Sequence, residues 1–187
     1  MNDEVDRIRV YRHCPRCAGT HIRIEPPRVD CSDCGLSIYV NAAGAVAAIL
    51  VDAADQVLLI RRAREPARGK LGFPGGFVDA GETAEAALCR EVAEEVGLRI
   101  DTLQFLCSST NRYPFGGVVY STLDLFFVAK VESFSGARAL DEVDALKTLA
   151  VSELRPEELS FDSMRVAWAA FLAGRARGIH REPTRAL

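Results

Sequence analysis

Two closely spaced cysteine pairs near the start of the chain constrain its fold more than any other feature. The pairs are Cys14-Pro-Arg-Cys17 and Cys31-Ser-Asp-Cys34, with thirteen residues between them. This spacing is typical of a tetrahedral four-cysteine site for structural zinc, the alternative being unbound or redox-active thiols. A reducing cytosol would keep all six cysteines as thiols, so the paired four need another reason to exist. We therefore expect zinc on Cys14, Cys17, Cys31 and Cys34.

The composition of the chain changes near residue 41. Residues 1–41 carry the four paired cysteines and few large apolar side chains. A segment so short and so poor in core residues needs a metal or a cross-link to fold. From residue 42 onward, strand and helix patterns become long and regular. We therefore expect a zinc-ribbon module over residues 1–41 and one larger domain over residues 42–187.

The bulk properties of the chain exclude several classes of protein. The longest apolar run, residues 42–51, is far shorter than the ~18 residues of a membrane span. The acidic start lacks the features of a signal peptide. A net charge of −3 argues against a general affinity for nucleic acid. The sequence thus predicts a cytoplasmic protein with no membrane partner, and leaves the oligomeric state open, a homodimer included.

The periodicity after residue 42 is mixed, which predicts an α+β fold. Strand patterns cover residues 44–51, 56–62, 71–78, 98–106, 118–131 and 143–151. Glycines and a proline interrupt the stretch 71–78, so we expect its end to be an irregular loop. Helix patterns cover residues 82–96, ended by Gly97, and 162–172, with Gly174 beyond the end.

The first predicted helix carries an unusual concentration of acid. On a helical wheel, three carboxylates share a sector of about 100° beside the apolar stripe: Glu91, Glu94 and Glu95. Ala84 and Ala87 point into the same sector and leave space above the acids. The acids repel one another and no lysine intervenes, whereas a hard divalent cation such as Mg²⁺ or Mn²⁺ would make the arrangement attractive. The alternative is a solvated face, but the preceding Pro74-Gly75-Gly76 favours a metal and phosphate site.

The stretch from Gly76 to Leu98 resembles the Nudix box at every defined position. The pattern is Gly, five residues, Glu, seven residues, Arg-Glu, an aliphatic, any residue, Glu-Glu, any residue, Gly and an aliphatic, which makes nine restricted positions over 23 residues. A cysteine ribbon followed by Tyr39 and Asn41 is similar to the zinc-ribbon Nudix proteins, although Ala42 replaces their usual proline. The resemblance implies a Nudix α/β/α sandwich with a mixed sheet, preceded by a small Cys₄ zinc ribbon.

The resemblance also implies roles for individual residues of the box. Mg²⁺ or Mn²⁺ would be held by the carboxylates of Glu91, Glu94 and Glu95, one of which can act as general base, and by the carbonyl of Gly75. Arg90 would pair with the helix carboxylates and hold their rotamers. Glu82 would brace the junction of loop and helix and lie near a second metal. The reaction would be attack by a metal-activated water on a diphosphate.

Glu142 is a further candidate for a metal ligand or base, because an acid often precedes the last strand of Nudix domains. A plain surface acid is the alternative for this residue.

Substrate recognition is the least determined part of the sequence. NADH pyrophosphatases of the family carry S-Q-P-W-P-F-P-x-S after the box, and Tyr113-Pro114-Phe115 matches it only in part. Tyr113 and Phe115 are the candidates for stacking on a base, with a packing loop as the alternative. A basic segment precedes the box, where Arg62 is the candidate for a substrate contact and solvated loop charges are the alternative.

Together these features predict an enzyme that hydrolyses a nucleoside-diphosphate-X of the ADP-ribose, FAD or NADH class. The alternatives are removal of an NAD-type cap from RNA, and a non-catalytic module that senses nucleotides or binds nucleic acid. The intact acids of the box argue against the sensor, and the modest basic character of the ribbon argues against nucleic acid as the main partner.

Overall fold

The computed structural model of the chain describes residues 5–176, together with the backbone of residues 184 and 185. The strands in these residues are β1 (Val5–Asp6), β2 (Ile22–Glu25), β3 (Arg28–Cys31), β4 (Ser37–Tyr39), β5 (Ala43–Val51), β6 (Gln56–Arg62), β7 (Leu71–Gly72), β8 (Thr102–Phe115), β9 (Val118–Lys130), β10 (Val143–Ala150) and β11 (Thr184–Arg185). The α-helices are α1 (Ala84–Val96) and α2 (Asp162–Ala176). Parts of both predicted domains, residues 1–4 and most of the stretch after residue 176, lie outside the described residues.

The chain divides into two compact units. The first comprises residues 1–43 and 112–122, and the second comprises residues 44–111 and 123–187. The grouping of residues 112–122 with the first unit is not contained in the sequence prediction. That residues 1–41 fold as a module of their own stays a prediction.

The second unit is built on one sheet with a helix on each face. The strand order is β10-β6-β5-β9-β8-β11, and β7 pairs with β6. Along β5, Val46, Ala48 and Leu50 pack with α1, whereas Ala47, Ile49 and Val51 pack with α2. This alternation explains why β5 is apolar on both faces and reads as a continuous apolar run. The predicted α+β sandwich is confirmed.

Helix α1 begins two residues later than predicted. Thr83 is its N-cap, because its hydroxyl accepts a hydrogen bond from the backbone N–H of Ala86 at 3.1 Å. Glu82 therefore lies before the helix rather than on it. Gly97 ends the helix in the left-handed conformation, as predicted. Ala87 does not leave space above the acids: it is fully buried in the core between α1 and the sheet.

Three further elements differ from the sequence prediction by more than one residue. Of the stretch predicted as strand over residues 71–78, only Leu71–Gly72 is a strand; the expected irregular loop follows, and Phe77 forms an isolated bridge with Ala45. The strand predicted at 98–106 begins later and runs on to Phe115 as one arm of a long hairpin turned by Gly116 and Gly117. Helix α2 continues through Gly174 to Ala176, since a single glycine costs an interior helix position only about 1 kcal/mol.

The first unit contains a three-stranded antiparallel sheet in the order β2-β3-β4. It also contains β1, which runs parallel to the start of β9 at Val118 and Val119. Among the described residues of its first part, 5–43, the buried apolar side chains are those of Cys14, Val29 and Cys31. The unit therefore has little core of its own apart from its cysteines.

Neither helix in the described residues has the length and hydrophobicity that a membrane crossing requires.

Candidate functional site

Arg90 is the centre of the acidic cluster on α1. Its Nε and Nη2 donate to both carboxylate oxygens of Glu82, each at 2.9 Å. Its Nη1 donates to Glu91 at 2.8 Å and to Glu94 at 3.1 Å. Hydrogen bonds from Arg90 lower the pKa of Glu82, and those with Glu82 and Glu91 raise the pKa of Arg90 above its usual range. One guanidinium thus neutralises and orients acids from the loop and from the helix.

Of the box acids predicted as metal ligands, Glu95 is the one that receives none of these hydrogen bonds from Arg90. Its carboxylate turns toward the glycine loop and accepts a hydrogen bond from the N–H of Gly75 at 2.8 Å. Burial raises the pKa of Glu95 to about 8, with the Gly75 hydrogen bond acting in the opposite direction. Burial also raises the pKa of Glu91, against the effect of Arg90. Without a cation, Glu95 therefore holds a proton at neutral pH, which is the state that a metal would displace.

The loop before α1 needs glycine because it passes close to two other groups. A Cβ on Gly75, which has φ 148°, would lie 2.1 Å from the carbonyl oxygen of Val46. A Cβ on Gly76 would lie 2.5 Å from Oε1 of Glu91. The carbonyls of Pro74 and Gly76 accept hydrogen bonds from β5. The Gly75 carbonyl between them takes no part in those two bonds.

The candidate metal ligands around this loop all offer oxygen atoms. Carboxylates and a backbone carbonyl are the ligands that Mg²⁺ and Mn²⁺ prefer. Ionising the partly buried Glu95 carboxyl costs free energy, which a divalent cation would offset. The residues therefore fit such a cation, although Arg90 and Gly75 direct Glu91, Glu94 and Glu95 to different partners in this structure.

Arg62 and Glu142 belong to the same unit as the acids, and each has a specific partner. Arg62 donates to the carbonyl of Pro66 at 2.8 Å, and its guanidinium lies 5.2 Å from the ring centroid of Phe161. Its charge acts to lower the pKa of Glu95, whereas that of Glu142 acts to raise it. Glu142 forms an ion pair with Arg64. No local pattern in the sequence marks this pair, because the two residues are 78 positions apart.

Tyr113 and Phe115 lie on strand β8 and not on the loop that the sequence predicted. Their ring centroids are 6.5 Å apart, and Phe115 is 58% exposed. Both residues belong to the first unit, whereas the acids of the box belong to the second. Their assignment to the substrate stays a prediction.

The four paired cysteines converge in the first unit. Their Sγ atoms all lie within 4.8 Å of one another. Cys14 and Cys34 are 3.6 Å apart, and Cys17 and Cys31 are 3.7 Å apart. A tetrahedron with metal–sulfur bonds of about 2.3 Å has edges of about 3.8 Å. The cluster therefore has the dimensions of a four-thiolate metal site.

Backbone N–H groups stabilise this cluster, and they differ between the two cysteine pairs. The N–H of Arg16 donates to Cys14 Sγ and that of Gly19 to Cys17 Sγ, both at 3.4 Å. The N–H of Gly35 donates instead to the carbonyl of Cys31. The glycine behind the first pair therefore donates to a thiol, whereas the glycine behind the second pair does not.

Comparison with known proteins identifies relatives of this chain. The family model of the NUDIX domain matches residues 42–168. The ADP-ribose pyrophosphatase of Methanocaldococcus jannaschii is 40% identical over 84 residues, which are 44% of this chain and 49% of that protein. The NAD-capped RNA hydrolase NudC of Pseudomonas aeruginosa is 31% identical over 147 residues, which are 78% of this chain and 50% of that protein.

The fold is also found among solved structures. A NUDIX hydrolase from Nitrosomonas europaea gives a TM-score of 0.73 at 24% identity, with 90% of this chain and 94% of that chain covered. At this identity the likeness shows the fold alone. The chain spans about half the length of the curated relatives it matches.

Proposed function

The chain belongs to the Nudix family, and from this premise we propose that it hydrolyses the diphosphate bond of a nucleoside-diphosphate-X substrate. The observation that carries the proposal is the partly buried carboxyl of Glu95, which accepts a hydrogen bond from Gly75 of the glycine loop and lies on the same helix as Glu91 and Glu94. A buried acid with a raised pKa in such a cluster is costly for a structural helix and useful for a cation site.

The ligands of the proposed Mg²⁺ or Mn²⁺ are Glu91, Glu94, Glu95 and the carbonyl of Gly75. The bound cation would neutralise charge on the diphosphate and acidify a water molecule. The water oxygen forms a bond to phosphorus, and its proton passes to a carboxylate, for which Glu142 and the helix acids are the candidates. The bridging P–O bond breaks, and its electron pair stays on the leaving phosphate. Arg90 and Glu82 act by holding the ligands in place.

The proposed substrates are ADP-ribose, FAD and NADH, with Arg62, Tyr113 and Phe115 as substrate contacts. The name of the Methanocaldococcus jannaschii relative supports ADP-ribose. A second candidate is an NAD-capped RNA, which the name of the Pseudomonas aeruginosa relative favours over a longer stretch of this chain.

We further propose that Cys14, Cys17, Cys31 and Cys34 hold a structural zinc ion, since their spacing is that of a tetrahedral thiolate site. A reducing compartment keeps the cysteines of a zinc–thiolate ribbon from forming disulfides, in keeping with a cytoplasmic location.

One screen tests the proposal. The protein is assayed on ADP-ribose, NADH, FAD, diadenosine polyphosphates, nucleotide sugars and NAD-capped RNA, each with Mg²⁺ and with Mn²⁺. We expect hydrolysis of at least one of them, with a nucleoside monophosphate or a 5′-phosphorylated RNA as product. Glu94→Gln serves as the inactive control. If no substrate is cleaved while ADP-ribose binds to both wild type and Glu94→Gln, the chain is a nucleotide sensor and the proposal is wrong.

A further inference from the structure

The segment that carries Glu142 is fixed to the end of the acidic helix. The N–H of Leu140 donates to the carbonyl of Glu95, and the N–H of Arg138 donates to that of Val96, both at 3.0 Å. The last carbonyls of an α-helix have no partner within the helix, so these bonds are the ones that the helix end requires. The position of Glu142, two residues beyond Leu140, is thereby tied to that of Glu95.

The same segment is fixed on its other side to the basic segment after β6. The N–H of Ala63 donates to the carbonyl of Glu142 at 3.1 Å, and Val143 pairs with Arg62 as β10 begins. Glu142 itself has φ 33°, which a residue with a side chain adopts only at a cost in free energy. The backbone of Glu142 is thus held in an unfavourable conformation from two sides, a situation common at functional positions.

The side chain of Glu142, in contrast, is held by one exposed partner. Arg64 donates to its carboxylate, and the two side chains are 67% and 53% exposed. An ion pair this open to water contributes little to stability, so an incoming anion can replace it. Pyrophosphate oxygens bind guanidinium groups in the same way as carboxylate oxygens do.

From this geometry we propose that Arg64 is a latch residue, which binds Glu142 in the empty protein and transfers to a phosphate group of the substrate when the substrate arrives. This proposal rests on the function proposed above. The transfer places the positive charge of Arg64 against the diphosphate. It also releases Glu142 toward the site at the moment when a base is needed. Arg64 is then a binding and positioning residue. The carboxylate of Glu142 stays paired with it until substrate is present.

The latch has a consequence that a merely structural ion pair does not have. Glu142 competes with phosphate for Arg64, so its removal should strengthen the binding of a diphosphate. Inorganic pyrophosphate is the probe, measured by titration calorimetry without added divalent cation, so that a change in metal affinity does not contribute. We expect Glu142→Gln to bind it about two- to fivefold more tightly, which is the fold-change that loss of an exposed ion pair permits. Arg64→Gln should bind it several-fold more weakly.

Two further variants separate the latch from a general effect of charge. Glu65→Gln removes the same charge from the residue next to Arg64, and it should change pyrophosphate binding little. In the Arg64→Gln background, Glu142→Gln should bring no gain. Unchanged or weaker binding by Glu142→Gln, an equal gain in Glu65→Gln, or a gain that persists without Arg64 would each overturn the proposal.

Turnover gives a second readout. On a substrate that the screen identifies, Arg64→Gln should raise KM about tenfold and leave kcat nearly unchanged, and Arg64→Lys should recover part of the loss. A fall in kcat at constant KM would overturn the binding role of Arg64. If the wild type cleaves nothing, the proposed function fails, but the pyrophosphate affinities still decide for or against the latch.

Discussion

In the ribbon of the first unit, four thiols already lie within 4.8 Å of one another, whereas in the second unit Arg90 holds the carboxylates of Glu91 and Glu94 and the Gly75 N–H holds that of Glu95. Among the described residues, the cysteines are the one group of this kind whose ligand atoms have converged. The hydrogen bonds to the thiols come from backbone N–H groups such as that of Arg16. The carboxylates have Arg90 and the Gly75 N–H, which compensate them without a metal.

With the proposed ions bound, this difference would separate a metal that is part of the fold from a metal that is part of the reaction. A closed thiolate site contributes folding energy to a unit with few buried apolar side chains. An open carboxylate site has to exist without its cation, because the cation and the substrate arrive and leave. The internal arginine and the protonated Glu95 are what allow the second site to fold empty.

The largest expected effect concerns the ribbon. The purified protein should contain about one zinc ion per chain, and Cys14→Ser or Cys31→Ser should release it and unfold β2, β3 and β4. Zinc binding contributes on the order of 10 kcal/mol to the folding of comparable small modules. Elemental analysis and NMR spectra of the ribbon amides measure the two effects. Cys89→Ser, at a cysteine outside the cluster, is the control, and a zinc-free wild type would contradict the assignment.

On the acidic helix, loss of a ligand should leave the fold intact. We expect Glu94→Gln and Glu95→Gln to lower kcat at least about a hundredfold, because the amide keeps the size of the side chain but loses the charge that binds a hard cation. Circular dichroism and kinetics at saturating Mg²⁺ check both halves of this expectation. Glu85→Gln on the same helix is the matched control. Near-full turnover in both variants would show that these acids do not hold the metal.

The pH dependence of stability should also distinguish the two regions. Because the folded-state pKa of Glu95 is raised from 4.5 to about 8, the folded chain keeps a proton that the unfolded chain has lost between these values. Stability without Mg²⁺ or Mn²⁺ should therefore fall as pH rises from about 5 to about 8. Glu82, whose pKa is lowered, acts below this range.

Thermal unfolding of the zinc-loaded protein measures this slope. In Glu95→Gln, Tm should vary much less over the same pH range, and saturating Mn²⁺ should flatten the wild-type curve in a similar way. An equal slope in wild type and variant would mean that burial of Glu95 does not cost free energy.

The smallest expected effect tests whether the first unit takes part in catalysis at all. If Tyr113 and Phe115 stack on the base, Tyr113→Ala or Phe115→Ala should raise KM about tenfold with little change in kcat, since stacking is worth roughly 1–3 kcal/mol. Phe105→Ala, at another exposed aromatic of β8, is the control. An unchanged KM in both variants would confine the first unit to a structural role.

The sequence predicted those parts of the fold that depend on local patterns. The Gly97 stop and the apolar run of β5 each act within a few residues, and both are confirmed. The two cysteine pairs converge as their spacing predicts, whereas the zinc ion itself stays a prediction. The sequence did not predict that β8 continues through Tyr113 and Phe115, because long hairpin arms are stabilised by pairing rather than by their own pattern. It also placed Ala87 beside the acids, since a wheel gives angles but not the width of the buried face.

Within the candidate site, the sequence predicted which residues are present, but not which side chains and backbone groups they contact. The acids, Arg90 and the glycines follow from the motif. The isolation of Glu95 from Arg90 depends on the path of the Gly75 loop, and the pairing of Arg64 with Glu142 joins residues 78 positions apart. Such contacts are set by tertiary structure, which a single sequence does not reveal.

The hydrogen bonds from Arg138 and Leu140 to the end of α1 also have a consequence for how related proteins can diverge. Insertions before Arg138, where Ser133, Ser135 and Gly136 are exposed, lengthen a surface loop and leave those bonds intact. An insertion between Leu140 and Glu142 would move the acid relative to the helix. We therefore expect homologous chains to vary in length between residues 132 and 137 and to keep a constant spacing from residue 138 to residue 142.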